Sequence, residues 1–170
     1  MEGSHISVNK EGVQSRTKVM LLAFFFISEG TVHHHYTPGG QTINKEFCME
    51  VLRRLRELDR RKRPEKWRDG EWILNHDNAP AHTSHPVQLF LAKHGTAQLQ
   101  QPPDSPDLAP CDFFLFPRLK KVPKGHRFEA TEDIKRNLTK TLLDILKEKF
   151  AKCFQQWQKR WAKCVAAEDN

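Results

Sequence analysis

The sequence predicts an α/β domain, a mixed β-sheet with helices on both faces. Three observations carry this. Apolar runs such as Val19–Ile27 ("VMLLAFFFI") and the core of "EWILNHD" are of strand length. Stripes of apolar residues at three- and four-residue spacing separate and follow these runs, as amphipathic helices require. The order is strand, strand, helix, strand, helix, strand and then helices, which is that of a sheet covered on both sides. A chain of 170 residues, 38% hydrophobic and 29% charged, suits one domain with its own core.

Residues 1–14 are polar and Gly-punctuated and read as a disordered leader. "VMLLAFFFI" lacks alternation, so it is expected to be a strand buried on both faces. "SEG" turns the chain into a return strand, "TVHHHY". There His33, His34 and His35 point to alternate faces and cannot all bind one ion. A helix is predicted over about 44–62, with Phe47, Val51, Leu55 and Leu58 on its apolar side. Its other side and exit hold nine Lys or Arg between Arg53 and Arg68, either a solvated face or a phosphate-contacting stripe. "EWILNHD" is a third strand, 84–93 a helix and "TAQLQQ" a fourth strand. "PPDSPDLAP" is a stiff connector, and Pro117 interrupts the helix that begins "CDFFLFPRLKK", which "VPKG" closes. Residues 131–166 are helical with two apolar stripes. Ile134, Leu138, Leu142 and Ile145 form one, and Phe150, Cys153, Trp157, Trp161 and Cys164 the other. The helical period sets these stripes on nearly opposite sides, so a bend near 146–149 is expected.

Composition narrows the chemistry. Lys+Arg number 28 against 21 Asp+Glu, a net charge of +7, which favours a polyanionic partner and is equally compatible with simple solubility. The four cysteines show no C-x-x-C pairing, so free thiols are expected. His76, His82 and His85 lack a fourth ligand at zinc spacing. The apolar run at 19–27 is too short to span a bilayer, and no membrane partner is expected.

Asp77 ends a predicted strand, and the carboxyl ends of strands are where α/β sheets place ligands. Asp112 follows after 34 intervening residues, enough for a helix, a strand and a return to the same rim. Two carboxylates there suit Mg²⁺ or Mn²⁺, hard ions that take oxygen ligands. The residues also have plainer readings: Asp77 as turn chemistry before Pro80, and Asp112 as a favourable helix N-terminus.

"HDNAPAHTS", "PPDSPDLAPCDFFLFPRLKK", "KGHRF" and "CFQQWQKRWAKC" resemble, in order and spacing, the catalytic domain of mariner-family transposases. "SRTKVMLLAFFF", "GQTINKEF" and "EVLRRLRE" extend the resemblance from about Ser15 to Glu168, which reads as a partial transposase catalytic domain over 15–168. The resemblance implies a ribonuclease-H-like fold and three aspartates holding two divalent metals that cut and rejoin DNA. On it, Asp77 and Asp112 match the second and third aspartates as catalytic and metal residues, with Asn78 and His82 as supporting groups. Arg118, Lys120, Lys121, Lys124 and Arg127, close behind Asp112, are the expected DNA contacts. DNA as partner implies a nuclear location, and a homodimer or a partner transposase chain is the expected assembly.

The chain departs from the family pattern where the first aspartate should stand. Neither Glu29, in the hairpin turn, nor Glu2 and Glu11, in the polar leader, replaces it in context. The first central strand of the sheet is therefore expected to be missing, with "HISV" as a conjectural filler, and the domain to be inactive by itself. The alternative is a non-catalytic module that binds nucleic acid or a transposase. Lesser departures are Asp104, where the family usually has an aromatic residue, and Leu146, where relatives often place a proline.

Overall fold

A computed structural model describes residues 4–8, 10–13, 20–37, 41–70, 72–121 and 130–168. The sheet is six-stranded and mixed. Its strands are β1 (Ser4–Val8), β2 (Lys10–Val13), β3 (Met20–Ile27), β4 (Gly30–Tyr36), β5 (Trp72–His76) and β6 (Ala97–Gln100). Strand β4 runs antiparallel along one edge of β3 from Tyr36, opposite Leu22, to Gly30, opposite Ile27. On the other edge β1 and β2 lie end to end in one antiparallel register, with Ser7 opposite Phe26 and Lys10 opposite Ala23. β1 then pairs in parallel with β5 from Ser4–Trp72 to Val8–His76, and β5 with β6 from Ile73–Ala97 to His76–Gln100.

This corrects two expectations. Residues 4–8 and 10–13 form strands where a disordered leader is predicted, and the central position expected to be missing is occupied by β1. The physical reason is non-local. An open slot between β3 and β5 would strand buried backbone donors and acceptors, each at a cost of about 1–3 kcal/mol. A short segment with Ile6 and Val8 suffices to fill it, and sheet pairing outweighs the polar composition around it.

The helix α1 (Lys45–Lys62) starts where the sequence indicates, with the Asn44 side chain accepting from the Phe47 N–H at 2.9 Å. Its inward side differs from the predicted stripe. Phe47, Cys48, Val51, Leu52 and Leu55 are buried, and the next inward position belongs to Asp59, 2% exposed, rather than to Leu58. A short α2 (Pro64–Asp69) ends on Gly70 in the left-handed region (φ 66°), which favours glycine. The predicted helix over 84–93 is α4 (His85–Lys93), preceded by a single turn, α3 (Pro80–Thr83). After β6 the connector makes a 3₁₀ turn at Pro106–Leu108. A π-helical turn, Cys111–Leu115, then runs into α5 (Phe116–Leu119), so the interruption predicted from Pro117 falls just before it. The "VPKG" segment lies outside the described residues.

The C-terminal helices are α6 (Thr131–Leu143) and α7 (Lys147–Glu168), and the break between them is the predicted bend, formed without a proline at Leu146. It brings Ile134, Leu138 and Leu142 into one core with Phe150, Cys153 and Trp157. Two cores cover the two sheet faces. Trp72 and Leu74 of β5 pack with α1 and α4. Leu99, paired with Asn75 and so on the opposite face, packs with the C-terminal helices. Cys48, Cys111, Cys153 and Cys164 are free thiols, as the sequence predicts. Among the described residues no helix is long and apolar enough to cross a membrane.

Candidate functional site

Asp77 stands where the sequence puts it, one residue beyond the carboxyl end of β5. The backbone turns into α3 there because Asp77 Oδ1 accepts from the Ala79 N–H at 3.1 Å, local turn chemistry of the kind that precedes proline. The same oxygen accepts from His82 Nδ1 at 2.6 Å. Burial pushes the Asp77 carboxyl up, but the hydrogen bond and charge of His82, with the Ala79 N–H, outweigh it and hold the group below the usual carboxylate range. Burial works against charge on His82 in turn. Hydrogen bonds to Asp77 and to Cys48 prevail and raise it to about 9, so the pair is ionic at neutral pH.

A polar ring fixes this corner from behind. His76 Nδ1–H donates to the Asp77 carbonyl at 2.7 Å, and its Nε2 faces Gln98 Oε1 at 3.1 Å. Gln98 and Gln88 exchange amide hydrogen bonds at 2.9 and 3.1 Å, and Gln88 reaches the His82 carbonyl at 3.4 Å. The sequence analysis missed Gln88 and Gln98. No local pattern marks them, because each acquires its partner only when β5, β6 and α4 are assembled.

Asn78, expected as a supporting group for a metal, instead donates to the Gln101 carbonyl at 2.7 Å and ties down the start of the connector. At the connector's far end Trp157 Nε1–H donates to the Leu108 carbonyl at 2.7 Å. Thus pinned, the connector leads from the rim that holds Asp77 to Asp112, half-buried in the π-helical turn, its N–H bonded to the Ala109 carbonyl at 2.9 Å.

The donors bear on which metal could be held. Asp77 and Asp112 offer carboxylate oxygens, the type Mg²⁺ and Mn²⁺ take. Among the described residues both hydrogen bonds to Asp77 fall on Oδ1, which makes Oδ2 the oxygen suited to an ion. Strand β1 reaches the level of His76 carrying Ser, His, Ile, Ser and Val, with no carboxylate. Among the described residues no group of three His, Cys, Asp or Glu is arranged to hold a metal ion. By type, these two carboxylates suit a hard ion completed by water.

The predicted DNA-contacting residues have separate fates. Arg118 donates to the Phe114 carbonyl and lies over the Phe114 ring, 4.0 Å from its centroid, so its guanidinium is engaged in packing. Lys120 and Lys121 are exposed, while Lys124 and Arg127 lie outside the described residues. On α1, Arg53, Arg54, Arg60, Arg61 and Lys62 are exposed.

A sheet of this order, with aspartates following β5 and β6, defines a ribonuclease-H-like domain. In sequence and fold the chain matches the catalytic domain of mariner transposases. It is 30% identical over 152 residues to the Mariner Mos1 transposase of Drosophila mauritiana, covering 89% of this chain and 44% of that protein. It is 29% identical over 149 residues to the human histone-lysine N-methyltransferase SETMAR, covering 87% of this chain and 22% of that protein. The chain thus spans less than half the length of these curated relatives. The Mos1 catalytic domain solved with raltegravir and manganese superposes at a TM-score of 0.90 with 27% identity, covering 99% of this chain and 84% of that one. Mos1 transposase in a paired-end complex with the left transposon end superposes at 0.81 with 30% identity, over 92% of this chain and 46% of that one. No family model matches the chain.

Proposed function

We propose that the chain is a DNA-binding domain of transposase origin that holds a single Mg²⁺ or Mn²⁺ through Asp77 and Asp112 and does not cut DNA by itself. The observation that carries this is β1, which restores the sheet but supplies no carboxylate to the rim. When bound, such an ion would polarise a phosphodiester oxygen or activate water, and a second ion to stabilise the leaving oxygen would lack its bridging ligand. The manganese in the Mos1 catalytic domain supports the choice of ion. Incubating the whole chain with supercoiled plasmid and Mn²⁺ is expected to give no nicking above background. Nicking that vanishes in Asp77→Ala would overturn the proposal.

DNA contact is the positive half of this reading, supported by the transposon end held in the Mos1 complex and by the exposed arginines of α1. Neutralising about four phosphates implies affinity falling roughly a hundredfold between about 50 and 200 mM salt. Replacing Arg53 and Arg60 together with alanine is expected to flatten the log–log salt slope by about 2. Gel shifts across a salt series check this, and a flat dependence removes the DNA reading. Nuclear location and assembly with a second copy or another transposase chain belong to the same proposal. A fluorescent fusion and sedimentation with and without DNA test them, and a cytoplasmic signal or a monomer on DNA would count against each.

A further inference from the structure

The outer side of α7 carries Lys149, Lys152, Lys159 and Lys163, all of them exposed. At about 100° per residue they fall within an arc of about 80°, with Gln156 among them. No acidic residue lies inside that arc, and Glu148 flanks its start. The stripe runs about 21 Å along the helix, well away from the side that buries Phe150, Cys153 and Trp157. Among the described residues none of the four ammonium groups makes an ion pair. Other helices mix their signs. On α6 Lys135 and Arg136 pair with Glu132 and Asp133 at 3.0 and 3.2 Å, and on α1 Arg54 pairs with Glu50 at 2.7 Å. Like charges gathered on one helix side repel one another, and a polyanion laid along them relieves that repulsion.

The surroundings select the partner. A membrane surface is held by basic residues with large apolar ones beside them. Here the exposed large apolar residue of α7, Val165, lies about 160° round the helix from the middle of the stripe. A protein interface draws its energy from buried aromatic or aliphatic anchors and keeps charge at the rim, and the arc offers no such anchor. Lysines and a glutamine alone suit a partner recognised by backbone charge. Duplex DNA presents one phosphate charge per about 1.7 Å of axis, so a stripe of about 21 Å faces on the order of ten. The helices α1 and α7 pack on opposite faces of the sheet through separate cores. One straight duplex lying along the arginines of α1 therefore does not reach the lysines of α7.

We propose that the lysine side of α7 is a DNA-backbone surface separate from that of α1, so that one copy of the chain holds a duplex on each face of the sheet. The choice of DNA rests on the reading given above for α1. The surface uses neither Asp77 nor Asp112, so it stands or falls separately from the metal site.

The test uses the whole chain in EDTA at low salt with two short duplexes carrying different dyes, followed by sedimentation velocity. Both dyes are expected in one species whose mass contains a single chain. Replacing Lys152, Lys159 and Lys163 together with glutamine should weaken capture of the second duplex at least about tenfold and leave the first bound, since three phosphate contacts are lost. The same three positions changed to arginine, which keeps the charge, should retain both duplexes. Arg53→Ala with Arg60→Ala should instead spare the duplex held by α7. These side chains are exposed, and thermal unfolding of each variant checks that the fold is kept. Unchanged capture in the glutamine variant overturns the proposal and leaves the α1 reading standing, whereas a parent that binds no duplex overturns both. Two dyes found only in species with two chains, or a stripe that takes polyglutamate in preference to DNA, also overturns it.

Discussion

Replacing Trp157 with alanine is expected to lower the unfolding free energy by about 3–5 kcal/mol, the range for removing a large buried aromatic side chain. The residue is 2% exposed and sits where the two predicted stripes of the C-terminal helices merge into one core. It packs edge-on to Phe154 at 5.6 Å between ring centroids, and its indole N–H holds the Leu108 carbonyl. A loss of that size is a large share of a domain's total stability of roughly 5–15 kcal/mol. Trp157→Phe separates the two contributions. It keeps most of the packing and gives up the bond to Leu108, at about 1–2 kcal/mol, and it loosens the connector that leads to Asp112. Urea unfolding followed by far-UV circular dichroism measures both. A change below about 1 kcal/mol in the alanine variant would mean that α7 is not docked on the connector.

How far the site could be read beforehand depends on how local each signal is. Asp77 was legible because a short run with an apolar core ends just before it and proline follows three residues later, so strand end and turn are both written nearby. The bend between α6 and α7 was legible from phase alone. Stripes on opposite sides of a straight helix cannot share a core, and Leu146, exposed in the break, shows that proline is not needed to make it. Strand β1 was legible only as the conjectural filler "HISV", because Ser4–Val8 looks like leader by composition and becomes a strand only through pairing with β3 and β5. The Gln88–Gln98 pair was invisible for the same reason. Asp59 was missed through a one-residue error of phase. The spacing from Leu55 pointed to Leu58, and the helix turned Asp59 inward instead.

That inward aspartate carries the second large effect. Burial raises the Asp59 carboxyl from 3.8 to about 6, with the charges of Arg63 and Lys62 pulling it only partly back. The native state therefore holds a proton more tightly than the unfolded chain does, and the sign follows. Asp59 costs nothing below about pH 4, its cost grows as pH rises through the interval between about 4 and 6, and the full penalty of about 3 kcal/mol or less is present at pH 7. Asp59→Asn removes the ionisation while keeping an oxygen toward Arg63. It is expected to stabilise the domain by about 1–3 kcal/mol at pH 7, a rise in Tm of about 2–10 °C, and to lose that advantage by pH 4. Thermal unfolding of both proteins at the two pH values is the measurement. A variant less stable than the parent at pH 7 would show that the ion pair with Arg63, 3.6 Å away, outweighs the burial of charge.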